Sequence, residues 1–182
     1  MPRFEAERLQ DLDEVFRWYE LQLLLLNEED RRLPELLTSG DLIPERYRDE
    51  SLGELREQFA SARKHLQYAA MLHLLTTTEA LLRLAFEALS KRKTKPAIFR
   101  QFRRIKRERG ESIRLEDDIL NTWIDTYPET ARSVREFKGV VPLRDWLAHG
   151  RYWNPKIGRS EYDVRDVFDI ASEMLNRMDD AA

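Results

Sequence analysis

The sequence predicts an all-α protein, a mostly antiparallel bundle of about five main helices. Apolar residues recur at three- and four-residue steps along most of the chain, which is the period of a helix with one buried face. Charged residues make up 36% of the 182 residues and only 6 are glycine, which is typical of helices with solvated, salt-bridged faces. No alternating apolar pattern is long enough to indicate a strand.

The length fits a single domain spanning residues 1–182, since such a chain can bury roughly 70% of its unfolded surface without disulfides or a metal. It contains no cysteine, which excludes disulfides, thiolate zinc sites and cysteine nucleophiles and is typical of a reducing cytoplasm. No signal peptide is visible, and the most apolar run, 21–26, is far shorter than the ~20 residues of a membrane helix. We expect a cytoplasmic protein without membrane contact.

The first helix is predicted from Phe4 to Asn27, where apolar residues follow the helical period. Residues 28–50 differ in character, because they are charged and contain two prolines, Pro34 and Pro44. Proline disrupts a helix interior, so we expect a long loop over 28–50 with at most one short helix, near Leu33–Leu37.

The second helix is predicted to begin at a capping box, in which Ser51 and Glu54 satisfy each other's backbone N–H groups. Its apolar pattern continues to about Lys91, a length of about 60 Å for an unbroken helix. Three successive threonines, 76–78, are its weakest point because β-branched side chains lose rotamer freedom in a helix. Any bend is expected there.

The third helix is predicted between Pro96 and Gly110, since proline suits the start of a helix and glycine its end. It lies in a concentrated basic segment, Lys91–Arg109, whereas the whole chain has a net charge of -3. Two interpretations stay open, a solvated amphipathic face and a strip that binds RNA phosphates. The residues predicted to bind RNA are Arg100, Arg103, Arg104, Lys106 and Arg107.

Two more helices are indicated further on. One covers 115–124 and is closed by Pro128. The last begins at Asp163, whose carboxylate can accept from the unpaired N–H groups of a helix start.

The chemically densest stretch, Val141–Trp153, lies between these two helices. The helix that leads into it is predicted over Thr130–Lys138, and Gly139 and Pro142 are expected to break or kink the chain after it. Residues 144–149 can then form a separate short helix. Gly150 is predicted to end that helix, because glycine adopts the left-handed conformation of a C-terminal cap without steric cost.

This stretch resembles the signature of the HEPN superfamily (higher eukaryotes and prokaryotes nucleotide-binding domains). That signature is an arginine, four to six residues and a histidine, with a polar residue usually following the arginine. Arg144, Asp145 and His149 match it, and the Leu-Ala-His-Gly run with an aromatic pair after it is also common in bacterial members. The close match covers about a dozen residues. The resemblance implies an HEPN-like helical core, a metal-independent endoribonuclease, and a homodimer whose two motifs meet across one cleft.

The residues of the motif suit RNA cleavage. His149 can take the proton from the 2′-hydroxyl or give one to the leaving 5′-oxygen. Arg144 can hold the scissile phosphate through two N–H groups and offset the charge that builds on it. Asp145 is expected to orient Arg144 or His149 rather than react, and the resemblance implies products with a 2′,3′-cyclic phosphate and a 5′-hydroxyl.

Three further residues are candidates for supporting the cleft. Glu79 and Arg83 have the i, i+4 spacing of an ordinary surface ion pair, while some HEPN ribonucleases carry such a pair facing the cleft. Tyr152 stands three positions after His149, one further than the regulatory tyrosine of some HEPN toxins, so that regulatory role is not carried over.

No metal site or cofactor is predicted. The other histidines, His65 and His73, stand eight positions apart without a carboxylate at ligand spacing between them and are expected to be ordinary helix residues. A glycine-rich phosphate loop is also missing, which argues against an NTPase.

The sequence therefore favours an endoribonuclease acting on RNA, in the role of a toxin or defence effector restrained by an antitoxin or regulatory protein. The alternative is a non-catalytic helical module that binds RNA, a nucleotide or a protein partner, and a third interpretation is a structural adaptor. Convergence of Arg144 and His149 in a cleft near the basic segment would favour the nuclease. Burial of His149 in apolar packing would favour the adaptor.

Overall fold

The computed structural model describes residues 11–39, 45–47, 49–93, 96–150 and 161–181, and those residues form an all-α helical bundle without a strand. Two 3-10 turns and a π-helical turn connect the main helices. The α-helices are α1 (Leu12–Ser39), α2 (Leu52–Lys91), α3 (Ala97–Arg109), α4 (Asn121–Thr126), α5 (Ala131–Ala148) and α6 (Val164–Ala181).

The predicted loop over 28–50 is wrong for residues 28–39, because α1 continues through Pro34 to Ser39. Tertiary contacts outweigh the hydrogen bond that a proline removes from a helix interior. Leu33 is buried, and Asp30 forms an ion pair at 2.7 Å with Arg63 of α2. Residues 45–47 form a 3-10 turn. Residues 40–44 and 48 lie outside the described residues, and so do residues 4–10, where the first helix was predicted to begin.

The second helix is confirmed over 40 residues with its capping box. The Ser51 N–H donates to a Glu54 carboxylate oxygen at 2.8 Å, and the Glu54 N–H donates to the Ser51 hydroxyl oxygen at 3.3 Å. α2 is helical through the three threonines at 76–78. The buried Thr78 hydroxyl donates to the Leu74 carbonyl at 2.7 Å, so the helix itself satisfies that polar group.

Most neighbouring helices run antiparallel, as the sequence predicts. α1 crosses α2 so that Asp30 contacts Arg63 at one end and Trp18 meets the ring of His73 at the other. α3 folds back along the last turns of α2. α5 also lies antiparallel to α2, and α6 packs against α1, α2 and α5. α1 and α5 each pack against α2 and α6, which places them at opposite corners of the bundle.

The core lies where α2, α3, α5 and α6 meet, and it is filled by large apolar side chains. Those that are almost completely buried include Leu74, Phe86, Phe102, Leu120, Phe137 and Met174. Within the described part of the chain, no helix combines the length and the hydropathy needed to cross a membrane.

No break occurs ahead of the motif, so the separate short helix expected at 144–149 does not form. α5 runs from Ala131 to Ala148 through both Gly139 and Pro142, so Arg144 lies on a long helix and not on a separate short one. Three residues beside the proline are buried and anchor this part of α5 in the core, namely Val140, Val141 and Leu143. Their burial offsets the cost of the proline.

The helix ends predicted at Gly110 and Gly150 and the helix start predicted at Asp163 are confirmed. Gly110 follows α3 with φ 58°, and Gly150 follows α5 with φ 88°, the left-handed backbone that glycine favours. At the start of α6, the Asp166 N–H donates to the Asp163 carboxylate at 2.8 Å. The predicted fourth helix is realised as a π-helical turn, Leu115–Leu120, that continues into α4.

Candidate functional site

Arg144 is held between two carboxylates. Its Nη1 donates to Glu79 of α2, and its Nε and Nη2 donate to the Asp145 carboxylate at 3.0 and 2.8 Å. Its side chain is 25% exposed. A guanidinium has five N–H groups, and these contacts engage only part of them, so a face of Arg144 can still meet a phosphate.

Glu79 shares its carboxylate between two arginines. Its second oxygen accepts from Arg83 at 2.8 Å, so the predicted surface ion pair exists and is part of a larger cluster. Arg83 also donates to the Ile113 carbonyl at 3.1 Å, in the connection that follows α3. We call Glu79, Arg83, Arg144 and Asp145 the Arg144 network. Its two cations and two anions balance, which lets it lie partly buried without an unpaired charge.

His149 lies at the end of the same helix and is exposed. Its backbone N–H donates to the Asp145 carbonyl at 3.0 Å, closing the last turn of α5 before Gly150. Asp145 therefore contacts both motif residues, Arg144 through its side chain and His149 through its backbone. The His149 imidazole is therefore not buried in apolar packing. Such burial is what a structural adaptor would have shown.

A small cavity of about 270 Å³ lies beside the end of α5. Trp146 next to it packs edge-on against Tyr68 of α2, with ring centroids 5.8 Å apart. The motif helix therefore lies over the middle of α2, and the apolar residues of the motif contribute to packing. The cavity is lined by His65, Tyr68, Ala69, Leu72, Leu147, Ala148 and Gly150.

The five residues predicted to bind RNA on α3 divide into two groups. Arg103 donates to the Arg92 carbonyl and Lys106 pairs with Glu87, so these two cations fix α3 against the last turns of α2. The hydrogen bond from Lys106 also lowers the pKa of Glu87.

The other three of these five predicted residues are exposed and lie at i, i+4 and i+7, on one face of the helix. We call Arg100, Arg104 and Arg107 the α3 stripe. Arg104 lies 4.0 Å from Glu108 in a largely exposed ion pair, and such pairs contribute little. The α3 stripe is thus open to a ligand.

The Arg144 network and α3 lie along the same helix, α2. Glu79 holds the network and Glu87 holds α3, eight positions later, which is about 12 Å along a helix axis. Arg83 lies between them on the same side of α2. The basic segment is therefore close to the motif. Within the motif itself, no hydrogen bond or ion pair joins the side chains of Arg144 and His149.

The described residues contain no group of three or more histidine, cysteine, aspartate or glutamate side chains placed to hold a metal ion. Tyr152 and Trp153 lie outside the described residues. The bridging role of Glu79 and the Ile113 carbonyl were not predicted. The i, i+4 spacing signals only the pair with Arg83, whereas a contact across 65 positions leaves no local pattern.

Comparison with known proteins gives no relative on which to base an assignment, since no family model, curated protein or solved structure matches this chain.

Proposed function

We propose that this protein is a metal-independent endoribonuclease of the HEPN type. The observation that supports the proposal is the geometry of the motif: an arginine oriented by two carboxylates, with an exposed histidine at the end of the same helix. An orienting contact matters because a guanidinium that is already positioned loses less entropy when it meets a phosphate.

The proposed reaction is an in-line transesterification. His149 removes the proton from the 2′-hydroxyl or protonates the leaving 5′-oxygen, and the second proton transfer is left to another group or to water. The 2′-oxygen forms a new bond to phosphorus while the bond to the 5′-oxygen breaks. The products are a 2′,3′-cyclic phosphate and a 5′-hydroxyl. Arg144 donates N–H groups to the phosphate oxygens and stabilises their growing charge.

The α3 stripe supports RNA as the substrate, because its exposed cations lie on a helix that Lys106 fixes to Glu87, about 12 Å along α2 from Glu79. Cations at such a place suit the phosphates of a chain that extends from the motif. We further propose that the protein acts as a toxin or defence effector, restrained in the cell by an antitoxin or another protein. This part of the proposal rests on the resemblance to HEPN proteins.

A second candidate function is a non-catalytic module that binds RNA or a nucleotide. The observation that favours it is the charge balance of the Arg144 network. An arginine already paired with two carboxylates is also what a purely structural ion-pair cluster contains. Both candidates predict RNA binding, and only the first predicts strand cleavage that needs His149.

The deciding experiment incubates purified protein with total RNA, with and without EDTA, beside a His149→Ala protein. The nuclease proposal expects cleavage in both conditions, fragments with cyclic phosphate ends, and no cleavage by His149→Ala. His65→Ala is a matched control, since it removes an exposed histidine of α2 outside the motif. Cleavage that stops with EDTA, or that survives in His149→Ala, would leave only the binding module.

A further inference from the structure

The outer face of α1 carries a cluster of exposed apolar side chains. Trp18, Leu21 and Leu25 lie at i, i+3 and i+7 and therefore share one side of the helix. They are 40%, 52% and 51% exposed, and Leu24 beside them is 53% exposed. We call these four residues the α1 patch.

The α1 patch is separate from the buried face of the same helix. Leu12, Val15, Phe16 and Tyr19 already pack into the core. α1 is therefore apolar on two sides, one that faces α2 and α6 and one that faces outward. Contiguous exposed apolar surface of this kind usually marks an interaction site.

The helix that carries the motif, α5, has no comparable surface of exposed apolar side chains. Trp146 and Leu147 are packed against the core, and none of the large apolar side chains of α5 in the described residues is exposed. Outside α1, the described residues expose only two large apolar side chains, Leu52 and Leu84, both on α2. Among the described residues, the exposed apolar surface is thus concentrated on α1.

The charges around the α1 patch are arranged to match a second copy of the same helix. If two copies of α1 pair antiparallel about a two-fold axis near Leu23, Leu21 of one copy faces Leu25 of the other. Arg17 then lies opposite Glu28 of the second copy, on the same lateral side of the helix. Both side chains are exposed.

The ends of α1 match in the same way. Its acidic first turn, with Asp13 and Glu14, comes to lie near the basic pair Arg31 and Arg32 of the second copy. A parallel pairing would instead set each charge beside its own kind, which is unfavourable.

We propose that the outer face of α1 is the interface for a second copy of this chain, paired antiparallel about a two-fold axis near Leu23. Such an interface is isologous, so every apolar contact and ion pair occurs twice. The inference does not rest on the proposed ribonuclease activity. It places the two-fold axis on the corner of the bundle opposite α5, and not at the shared cleft that the HEPN resemblance implies.

The interface is expected to be weak. α1 has 28 residues and is about 42 Å long, and one pair of helices covers less than the ~1,600 Å² of a standard interface. The dimer should therefore dissociate in a micromolar range, where its population depends on protein concentration.

Analytical ultracentrifugation of the full chain from about 1 to 100 μM tests this inference. The variant Leu21→Gln/Leu25→Gln keeps the helix and the net charge and should raise the dissociation constant at least about tenfold. Leu84→Gln is the matched control, since it removes an equally exposed leucine (58%) from α2 and should leave the dissociation constant unchanged. Circular dichroism verifies that each variant stays folded.

A charge swap tests the antiparallel geometry. Arg17→Glu and Glu28→Arg should each weaken the dimer, and the double swap should restore it, because the pair re-forms with its signs exchanged. A wild-type protein that is monomeric throughout, or a Leu21→Gln/Leu25→Gln protein that dimerises normally, would overturn the proposal. So would a dimer lost only on Ala148→Glu, since that result would put the interface on the motif helix.

Discussion

Glu79 of α2 and Arg144 of α5 form an ion pair that joins two helices across 65 positions of sequence. Their side chains are only 20% and 25% exposed. Because Glu79 also binds Arg83, the carboxylate keeps a partner when Arg144 is replaced. Arg144, in turn, keeps Asp145 when Glu79 is replaced. Each substitution can therefore be tested without leaving a buried charge alone.

The first prediction concerns the motif residues. Arg144→Ala and His149→Ala should each abolish RNA cleavage while the fold stays intact. A general acid or base contributes about 10²–10⁴-fold, enough to remove cleavage from a gel assay. The double variant should be no worse than the weaker single one, since the two residues act as a unit. Thermal melts provide the control, and full-rate cleavage by His149→Ala would contradict the assignment.

The second prediction separates positioning from binding. Glu79→Gln keeps a side chain of the same shape but loses the charge that orients Arg144. We expect kcat to fall more than KM rises, because the oriented contact is strongest in the transition state. Glu173→Gln is the matched control, as it removes an exposed i, i+4 partner of Arg177 on α6. Equal kinetics for the two variants would make the Glu79 contact purely structural.

The third prediction concerns the basic segment. Replacing Arg100, Arg104 and Arg107 by glutamate should weaken RNA binding for all sequences alike and flatten its dependence on salt. Each lost phosphate contact removes about 0.7 from the log–log salt slope on single strands. Binding is measured by fluorescence anisotropy in the His149→Ala background, so that the RNA stays intact. An unchanged slope would show the α3 stripe to be a solvated face.

The two inward cations of α3 provide the comparison for that experiment. Arg103→Ala and Lys106→Ala should lower the melting temperature, because these side chains hold α3 against Arg92 and Glu87. The substitutions at the α3 stripe should leave the melting temperature nearly unchanged. If only the substitutions at the α3 stripe lowered the melting temperature, the stripe would hold α3 in place, and Arg103 and Lys106 would be the cations free to bind a ligand.

The fourth prediction concerns the start of α2 and its dependence on pH. Ser51→Ala should lower the free energy of unfolding by about 1 kcal/mol, as for other N-caps. Hydrogen bonds from the Ser51 hydroxyl and backbone N–H lower the pKa of Glu54 below its ordinary value. The stability from this contact is therefore present above the ordinary pKa of glutamate and is lost as the pH falls through the lowered value.

Urea unfolding at neutral pH and at about pH 3, below the ordinary pKa of glutamate, measures this difference. The difference in unfolding free energy between wild type and Glu54→Gln should shrink at the lower pH, because a larger share of the wild-type carboxylates is then protonated and, like the glutamine, uncharged. A gap that stays constant would mean that the charge of Glu54 does not contribute to the cap.

The amino-acid sequence alone determined the all-α class and some of the helix ends. The capping box at Ser51, the N-cap at Asp163 and the glycine ends at 110 and 150 were predictable, because a cap depends on a few adjacent residues. The apolar faces of α2, α3 and α6 followed from their period in the same way.

Only the tertiary structure decided where a local helix-breaking signal is overridden. Pro34 and Pro142 both predicted breaks, yet both lie inside helices, because the burial of Leu33 and Val141 outweighs one lost hydrogen bond. It also decided which cations of α3 face α2 and which face solvent. Above all it brought Glu79 to Arg144, since a contact between distant positions depends on how helices pack and not on any local pattern.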